Sequence, residues 1–174
     1  GTYPHSLMVG NLVETVAHDV RANGLEARVG AYYHDIGKLS KPEYFFENTG
    51  ERENKHEKLA PRMSAIILLA HVKEGVELAR SEKLPRIIVE AIREHHGRTV
   101  MAYFYQKALE YDSNDSVSAE DFRYPGPRPR SKETALIMLA DSCEAAVRSL
   151  RDPTVPKIRA IVQKIIEMRT ADGE

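Results

Sequence analysis

Histidine is the residue type in this sequence with the clearest chemical potential. Its seven copies include His34, followed directly by Asp35 in "AYYHDIGKLS", and the adjacent pair His95-His96. Neutral imidazoles and carboxylates are good ligands for transition metals. Burying several imidazoles costs free energy unless each has a polar partner. If these side chains are buried together, a metal site would satisfy them at once.

A helical projection separates histidines predicted to be buried from one predicted to be exposed. At about 100° per residue, His5 falls near the centre of the apolar stripe of the first predicted helix. His18 falls on the opposite face, although His18-Asp19 is also a His-Asp dipeptide. The projection therefore places His18 in solvent and assigns it no chemistry, which makes this pair an internal control for His34-Asp35.

The remaining histidines lie on apolar or tightly packed helix faces. His95 lies in the middle of an apolar stripe, and His96 and His71 lie on flanks. His34 shares its face with two alanines, which would let neighbouring backbones come close. Each of these histidines taken alone is more often a hydrogen-bonded core residue than a ligand, and a His-His pair also suits a helix C-terminus. Asp141 lies away from its helix's main stripe, so the pattern leaves a solvated acid and a ligand equally open.

The elements that must position these residues are all predicted to be helices. Apolar residues recur with a helical period throughout, which predicts an all-α bundle of about seven or eight helices. The first helix is predicted over residues 4–23, with a buried stripe at Val9, Leu12, Val13, Val16 and Val20. The second is predicted over residues 25–37. In the third, Gly75 is predicted to mark a break, and residues 112–131 are predicted to form a long loop.

Length and composition are those of one globular domain. The 174 residues include 25 basic and 26 acidic side chains, so the net charge of −1 gives no argument for a nucleic-acid polymer or a membrane surface as partner. The single cysteine, Cys143, excludes an internal disulfide and suits a reducing compartment. Apolar runs are too short to span a bilayer. Because the chain opens directly into a helical pattern without methionine, we expect a domain from a longer protein.

The order of the histidines and aspartates resembles the bimetallic HD-domain phosphohydrolases, whose signature is "HDIGK". Further stretches, including "GTYPHSLMV", "HVKEGVELA", "EDFRYPGPRP" and "MLADSCEAAVRSL", are similar to the cytoplasmic domain of seven-transmembrane HD proteins, the PgpH-type cyclic di-AMP phosphodiesterases. The resemblance covers nearly the whole chain. It implies an all-α domain, residues 1–174, attached to the cell membrane in the full-length protein and acting in second-messenger signalling.

The resemblance also implies a ligand set for two metals. His5, His34, Asp35 and Asp141 would bind one metal, His71, His95 and His96 would bind the second, and Asp35 would bridge the two. Five imidazoles, two carboxylates and no thiolate suit iron or manganese. Two such metals can hold a bridging hydroxide, which would hydrolyse cyclic di-AMP to linear 5′-pApA. The Gly-Tyr-Pro motif typical of cyclic di-GMP enzymes does not follow the His-His pair.

Several side chains are candidates for contact with the substrate. Lys38, one turn after Asp35, is predicted as a catalytic cation near the phosphate, although helix C-terminal charge compensation would also explain it. A cyclic dinucleotide has a second phosphate, for which Lys38, Arg98 and Arg123 are candidates. Tyr103 and Tyr124 are candidates for stacking on adenine. The alternatives at this point are hydrolysis of another cyclic dinucleotide or nucleotide, a di-iron HD-fold oxygenase, and a non-catalytic ligand-binding module.

Overall fold

The computed structural model describes residues 1–49, 54–111 and 117–174. Across these ranges the chain is helical, with no β-strand and a single isolated bridge between Val100 and Arg123. The all-α prediction is confirmed. The α-helices are α1 (Thr2–Ala17), α2 (Gly24–Tyr33), α3 (Phe46–Thr49), α4 (Pro61–Ser81), α5 (Arg86–Glu94), α6 (Ala102–Tyr111), α7 (Lys132–Arg148) and α8 (Val155–Ala171). Short 3-10 helices cover Ile36–Ser40, Pro42–Tyr44, Lys55–Lys58 and Ala119–Phe122.

Helix α2 is the centre of the packing. It contacts α1, α5 and α7, and small side chains make these contacts close. Ala27 and Ala31 on α2 and Ala91 on α5 are fully buried. This confirms the sequence prediction that alanines on the His34 face let neighbouring backbones approach. The central cluster consists of Val9, Val13, Ala27, Ala31, Ala91 and Ile137.

The predicted first helix is wrong in its end and in part of its buried stripe. Helix α1 ends at Ala17, and the chain then turns through Arg21, whose φ of 56° is left-handed and cannot continue a helix. Val9 and Val13 are buried as predicted, whereas Leu12 is 41% exposed and Val16 is 42% exposed. These two border an apolar groove of about 580 Å³ between α1, α7 and α8.

The second predicted helix ends four residues early, which places the His34-Asp35 dipeptide at a junction. Helix α2 ends at Tyr33, and Asp35 has φ −107° and ψ 13°, outside the α-helical region. The chain continues as the 3-10 helix Ile36–Ser40, which packs against α4. The dipeptide is therefore held between two elements, and its side chains project from the end of α2.

Gly75 does not break the third predicted helix, because α4 runs without interruption from Pro61 to Ser81. The glycine serves a close approach instead. A Cβ atom on Gly37 would lie 1.9 Å from the carbonyl oxygen of His71 and 2.6 Å from the backbone nitrogen of Gly75. Two glycines thus let the Ile36–Ser40 segment lie directly on α4. Their contact places Asp35 beside His71.

No helix in the described ranges has both the length and the apolar character needed to cross a bilayer.

The close contact of Gly37 with helix α4 predicts that one added methyl group at this position has a strong effect on stability. We expect Gly37→Ala to destabilise the domain by about 1–3 kcal/mol, because the new Cβ meets rigid backbone atoms rather than a flexible side chain. Urea unfolding followed by circular dichroism measures the change. The control is Gly24→Ala, where the nearest atom, the Cβ of Ala17, lies 3.4 Å away, and the expected change is within about 0.5 kcal/mol. Equal stability of the two variants would contradict the close approach.

Candidate metal centre

All seven residues predicted as metal ligands converge on one site. His5 comes from α1, His34 and Asp35 follow α2, and His71 lies in α4. The other three come from helix α7 and the end of α5. All are buried except His96, which is partly exposed. The seven residues are His5, His34, Asp35, His71, His95, His96 and Asp141.

The Asp35 carboxylate lies at the centre of this cluster. Its Oδ2 atom is 3.6 Å from Nε2 of His5 and 3.4 Å from Nε2 of His34. Its Oδ1 atom is 3.6 Å from Nε2 of both His71 and His95. Each of the two carboxylate oxygens therefore faces a different pair of imidazoles. A carboxylate in this position can be shared between two cations.

The candidate ligand atoms fall into two groups that share Asp35. One group contains His5, His34 and Asp35, and within each group the candidate ligand atoms lie within 4.8 Å of one another. The Asp141 carboxylate lies against the first group, with Oδ1 3.0 Å from Nε2 of His5. The second group contains Asp35, His71, His95 and His96.

Backbone carbonyls orient three of the imidazoles in the same way. Nδ1 of His34 lies 2.6 Å from the carbonyl oxygen of Ala31, and His71 and His95 make the equivalent contacts to residues three positions earlier, at 2.5 and 2.9 Å. When Nδ1 carries the proton and donates it to a carbonyl, Nε2 presents its lone pair. In all three residues Nε2 is the atom that faces Asp35.

His5 is oriented by a carboxylate that the sequence interpretation missed. Its Nδ1 lies 2.6 Å from Oε2 of Glu144, which also pairs with Nη1 of Arg148 at 3.2 Å. A signal was present in the sequence, because Glu144 follows Asp141 by three residues and so shares its helix face. A carboxylate on the far nitrogen of an imidazole is a common support for a metal-bound histidine.

Unsatisfied buried atoms test whether the site fits a metal. Nε2 of His34 and Oδ1 of Asp35 are buried without a hydrogen-bond partner. Nε2 of His71 and Nε2 of His95 face each other at 3.3 Å. Leaving such groups unpaired is costly, and divalent cations would satisfy them together. The donors are nitrogen and oxygen atoms in a number and arrangement that fit divalent metals.

The imidazoles of the site differ in the direction of their pKa shifts. Burial lowers the pKa of His95 to about 3, with the charge of nearby His34 adding to the effect, and burial also lowers the pKa of His96 and of His71. These three imidazoles are therefore neutral near pH 7, which is the form that binds metals. Burial opposes the charging of His34, but the Asp35 carboxylate outweighs it and raises the pKa of His34 to about 10.

Lys38 lies against the central carboxylate of the cluster. Its Nζ atom is 2.6 Å from Oδ2 of Asp35 and 2.6 Å from Oε1 of Glu47. Although burial disfavours its charge, these carboxylates raise the pKa of Lys38 above its usual range. Burial likewise favours neutral Asp35, but Lys38 and His34 hold the pKa of Asp35 well below its usual value. The sequence interpretation did not identify Glu47 as part of this arrangement.

A cavity of about 310 Å³ opens onto the cluster. Of the predicted substrate contacts, Lys38 and Tyr124 line it, and the Tyr124 ring stacks on His96 with centroids 4.0 Å apart. His56, to which the sequence analysis gave no role, also lines the cavity, and its Nε2 lies 2.7 Å from the carbonyl oxygen of Tyr44. Aromatic rings thus form much of the wall beside the candidate metal ligands.

The other three predicted substrate contacts are not among the described residues that line this cavity. Arg123 donates from Nη1 to the carbonyl oxygen of Arg98 at 2.7 Å and from Nε to Glu120 at 2.7 Å. Arg98 borders a separate surface depression together with the proline-rich loop. Tyr103 is 67% exposed on α6. The arrangement does not bring Arg98, Tyr103 or Arg123 to the metal ligands, and their roles stay predictions.

Comparison with known proteins decides the family. The family model for the HD domain matches residues 2–146. This chain belongs to the HD-domain family. The HD domain described here is 48% identical over its full length to cyclic-di-AMP phosphodiesterase PgpH of Bacillus subtilis (strain 168) and 47% identical to PgpH of Listeria monocytogenes serotype 1/2a (strain 10403S). It spans about a quarter of the length of these relatives, 24% in each case.

Solved structures agree with this assignment. The HD domain of L. monocytogenes PgpH superimposes with a TM-score of 0.93 at 46% identity, covering 99% of this chain and 80% of that one. The same HD domain in complex with cyclic-di-AMP also gives 0.93 at 46% identity, with 99% and 78% covered.

The position of Asp35 between two groups of imidazoles predicts that it is required by both metals. We expect Asp35→Ala protein to retain neither metal, whereas Asp19→Ala should retain both, because the Asp19 side chain is 82% exposed beside a fully exposed His18. Elemental analysis of the purified variants measures this, with circular dichroism to verify folding. Full metal occupancy in folded Asp35→Ala protein would show that Asp35 is not shared.

Metal binding is also predicted to stabilise the fold, because the ligands come from α1, α4, α7 and the ends of α2 and α5. At a hundredfold excess of metal over its dissociation constant, the gain is about 2.7 kcal/mol. Chelation should therefore lower the Tm by several degrees in scanning calorimetry. The same chelator should leave the Tm of Asp35→Ala protein unchanged. An unaltered Tm after verified metal removal from the wild type would contradict this linkage.

Proposed function

We propose that this domain is a metal-dependent phosphodiesterase that hydrolyses cyclic di-AMP to linear 5′-pApA. The observation that carries the proposal is the buried Asp35 carboxylate, which directs one oxygen at each of two imidazole groups. The whole chain aligns with relatives named as cyclic-di-AMP phosphodiesterases, and a close structural neighbour was solved with cyclic-di-AMP bound. These relatives support the choice of substrate.

The two groups of candidate ligand atoms that share Asp35 support a division between two metals. His5, His34, Asp35 and Asp141 would hold one metal, and His71, His95 and His96 would hold the other, with Asp35 shared. When bound, two divalent metals polarise a phosphodiester and lower the pKa of water enough to supply a nucleophile near neutral pH. We propose iron or manganese, since the donors are imidazoles and carboxylates without a thiolate.

The chain's own residues prepare the site in two ways. Carbonyl partners hold Nδ1 of His34, His71 and His95, so that each Nε2 faces the shared carboxylate, where a bound metal would take its lone pair. Lys38 remains protonated between Asp35 and Glu47, and its ammonium group limits the electrostatic cost of a buried carboxylate. Lys38 therefore supplies positive charge beside the ligands, and its proposed role is to stabilise negative charge on the reacting phosphate.

The cavity wall suits a nucleotide. Four of the aromatic side chains that line the cavity are Tyr44, Phe46, Phe104 and Tyr124. Aromatic side chains can bind bases by stacking, which contributes about 1–3 kcal/mol per base. Burial raises the pKa of Tyr124, so its hydroxyl stays protonated and can donate a hydrogen bond. We propose that Tyr124 contacts an adenine, which would place that base beside His96.

We further propose that residues 1–174 form one HD-type domain of a longer protein that is attached to the membrane and faces the cytoplasm. The family match covers residues 2–146, and α8, which follows the match, packs against α7. The relatives are about four times longer than this chain, which leaves room for a membrane-embedded region.

The test is a competition assay in manganese or ferrous buffer, with cyclic di-AMP, cyclic di-GMP and a plain phosphomonoester present together. We expect cyclic di-AMP to be consumed first and 5′-pApA to accumulate, with no turnover by Asp35→Ala protein. Preference for either competitor would overturn the adenine assignment and leave a metallohydrolase. Absence of any phosphoester hydrolysis by fully metal-loaded protein would overturn the hydrolase itself.

A further inference from the structure

Arg148 is a cation on the cavity wall to which the sequence analysis assigned no role. It is the last residue of α7, two turns after Asp141, and therefore projects from the same face of that helix. Among the described residues that line the cavity, the lysines and arginines are Lys38 and Arg148. The two lie in different elements of the cavity wall.

Lys38 and Arg148 differ in how many carboxylates already neutralise their charge. Lys38 is held by two carboxylates at 2.6 Å each and is largely buried. Arg148 shares one carboxylate, Glu144, with His5, and its side chain is 36% exposed. In the described ranges its contacts to Glu144 use only Nη1, which leaves donors of the planar guanidinium available.

The proposed substrate requires such a cation. This step rests on the proposed function: a cyclic dinucleotide carries two phosphodiesters in one small ring, and only one of them can react at the metals. The second phosphate enters the same cavity with its negative charge. The other arginine candidates, Arg98 and Arg123, do not line the cavity.

We propose that Arg148 binds the phosphate of the cyclic dinucleotide that does not react. A guanidinium can contact two oxygens of a phosphate at once, which fixes orientation as well as charge. Glu144 holds Arg148 on one side and His5 on the other, so the phosphate site and the first metal-ligand group share one support. Arg148 thereby favours substrates with two phosphates over those with one.

The experiment measures steady-state kinetics of the manganese-loaded domain with cyclic di-AMP. For Arg148→Gln we expect KM to rise at least tenfold, with kcat within about twofold of the wild type and metal content unchanged. Arg148→Lys, which keeps the charge and loses the planar fork, should give an intermediate KM. The matched control is Arg159→Gln on the exposed surface of α8, which should leave both constants unchanged.

Two results would overturn the role of Arg148. One is an unchanged KM in Arg148→Gln protein. The other is a fall in kcat together with loss of metal, because this would show that Arg148 acts only by supporting Glu144 and His5.

Failure of the proposed hydrolysis would be a separate result. If the wild type binds cyclic di-AMP without cleaving it, calorimetric Kd values of the same variants replace KM, with the same tenfold criterion. A wild type that neither binds nor cleaves cyclic di-AMP would overturn both proposals.

Discussion

The Asp35 carboxylate is buried where four imidazole nitrogens and the Lys38 ammonium group meet, and the rest of the domain is arranged around this charge. A buried carboxylate is unfavourable unless cations and hydrogen-bond donors surround it. Here the surrounding groups come from α1, α4, from the ends of α2 and α5, and from the 3-10 helix after α2. Groups from five elements therefore converge on this one charge.

Small residues make this convergence sterically possible. Gly37 and Gly75 let the segment after Asp35 lie on α4, and Ala27 and Ala31 let α2 lie between three other helices. A side chain at Gly37 would clash with the backbone of α4 at His71. The same small residues thus allow both the tight helix packing and the close approach of the candidate ligands.

Two further carboxylates, Glu47 and Glu144, pair with the positive and imidazole groups around the cluster. Glu47 pairs with Lys38, and Glu144 pairs with His5 and Arg148, so each side of the cluster has a second layer of charge. Of these outer groups, Glu47 and Arg148 line the cavity beside the candidate ligands. Residues that support the candidate ligands and residues that border the substrate space are therefore direct neighbours in this domain.

The sequence by itself determined the helical class, the inward face of His5 and the exposure of His18-Asp19, since a helical period is a local property. The order of the seven candidate ligands came from the resemblance to the HD-domain family. Only the tertiary structure decided that α2 stops before His34, that α4 continues through Gly75, and that Leu12 and Val16 border a groove. It also selected Arg148 over Arg98 and Arg123 for the cavity and brought Glu144 to His5. Those outcomes depend on contacts between residues far apart in the chain, which a local pattern does not contain.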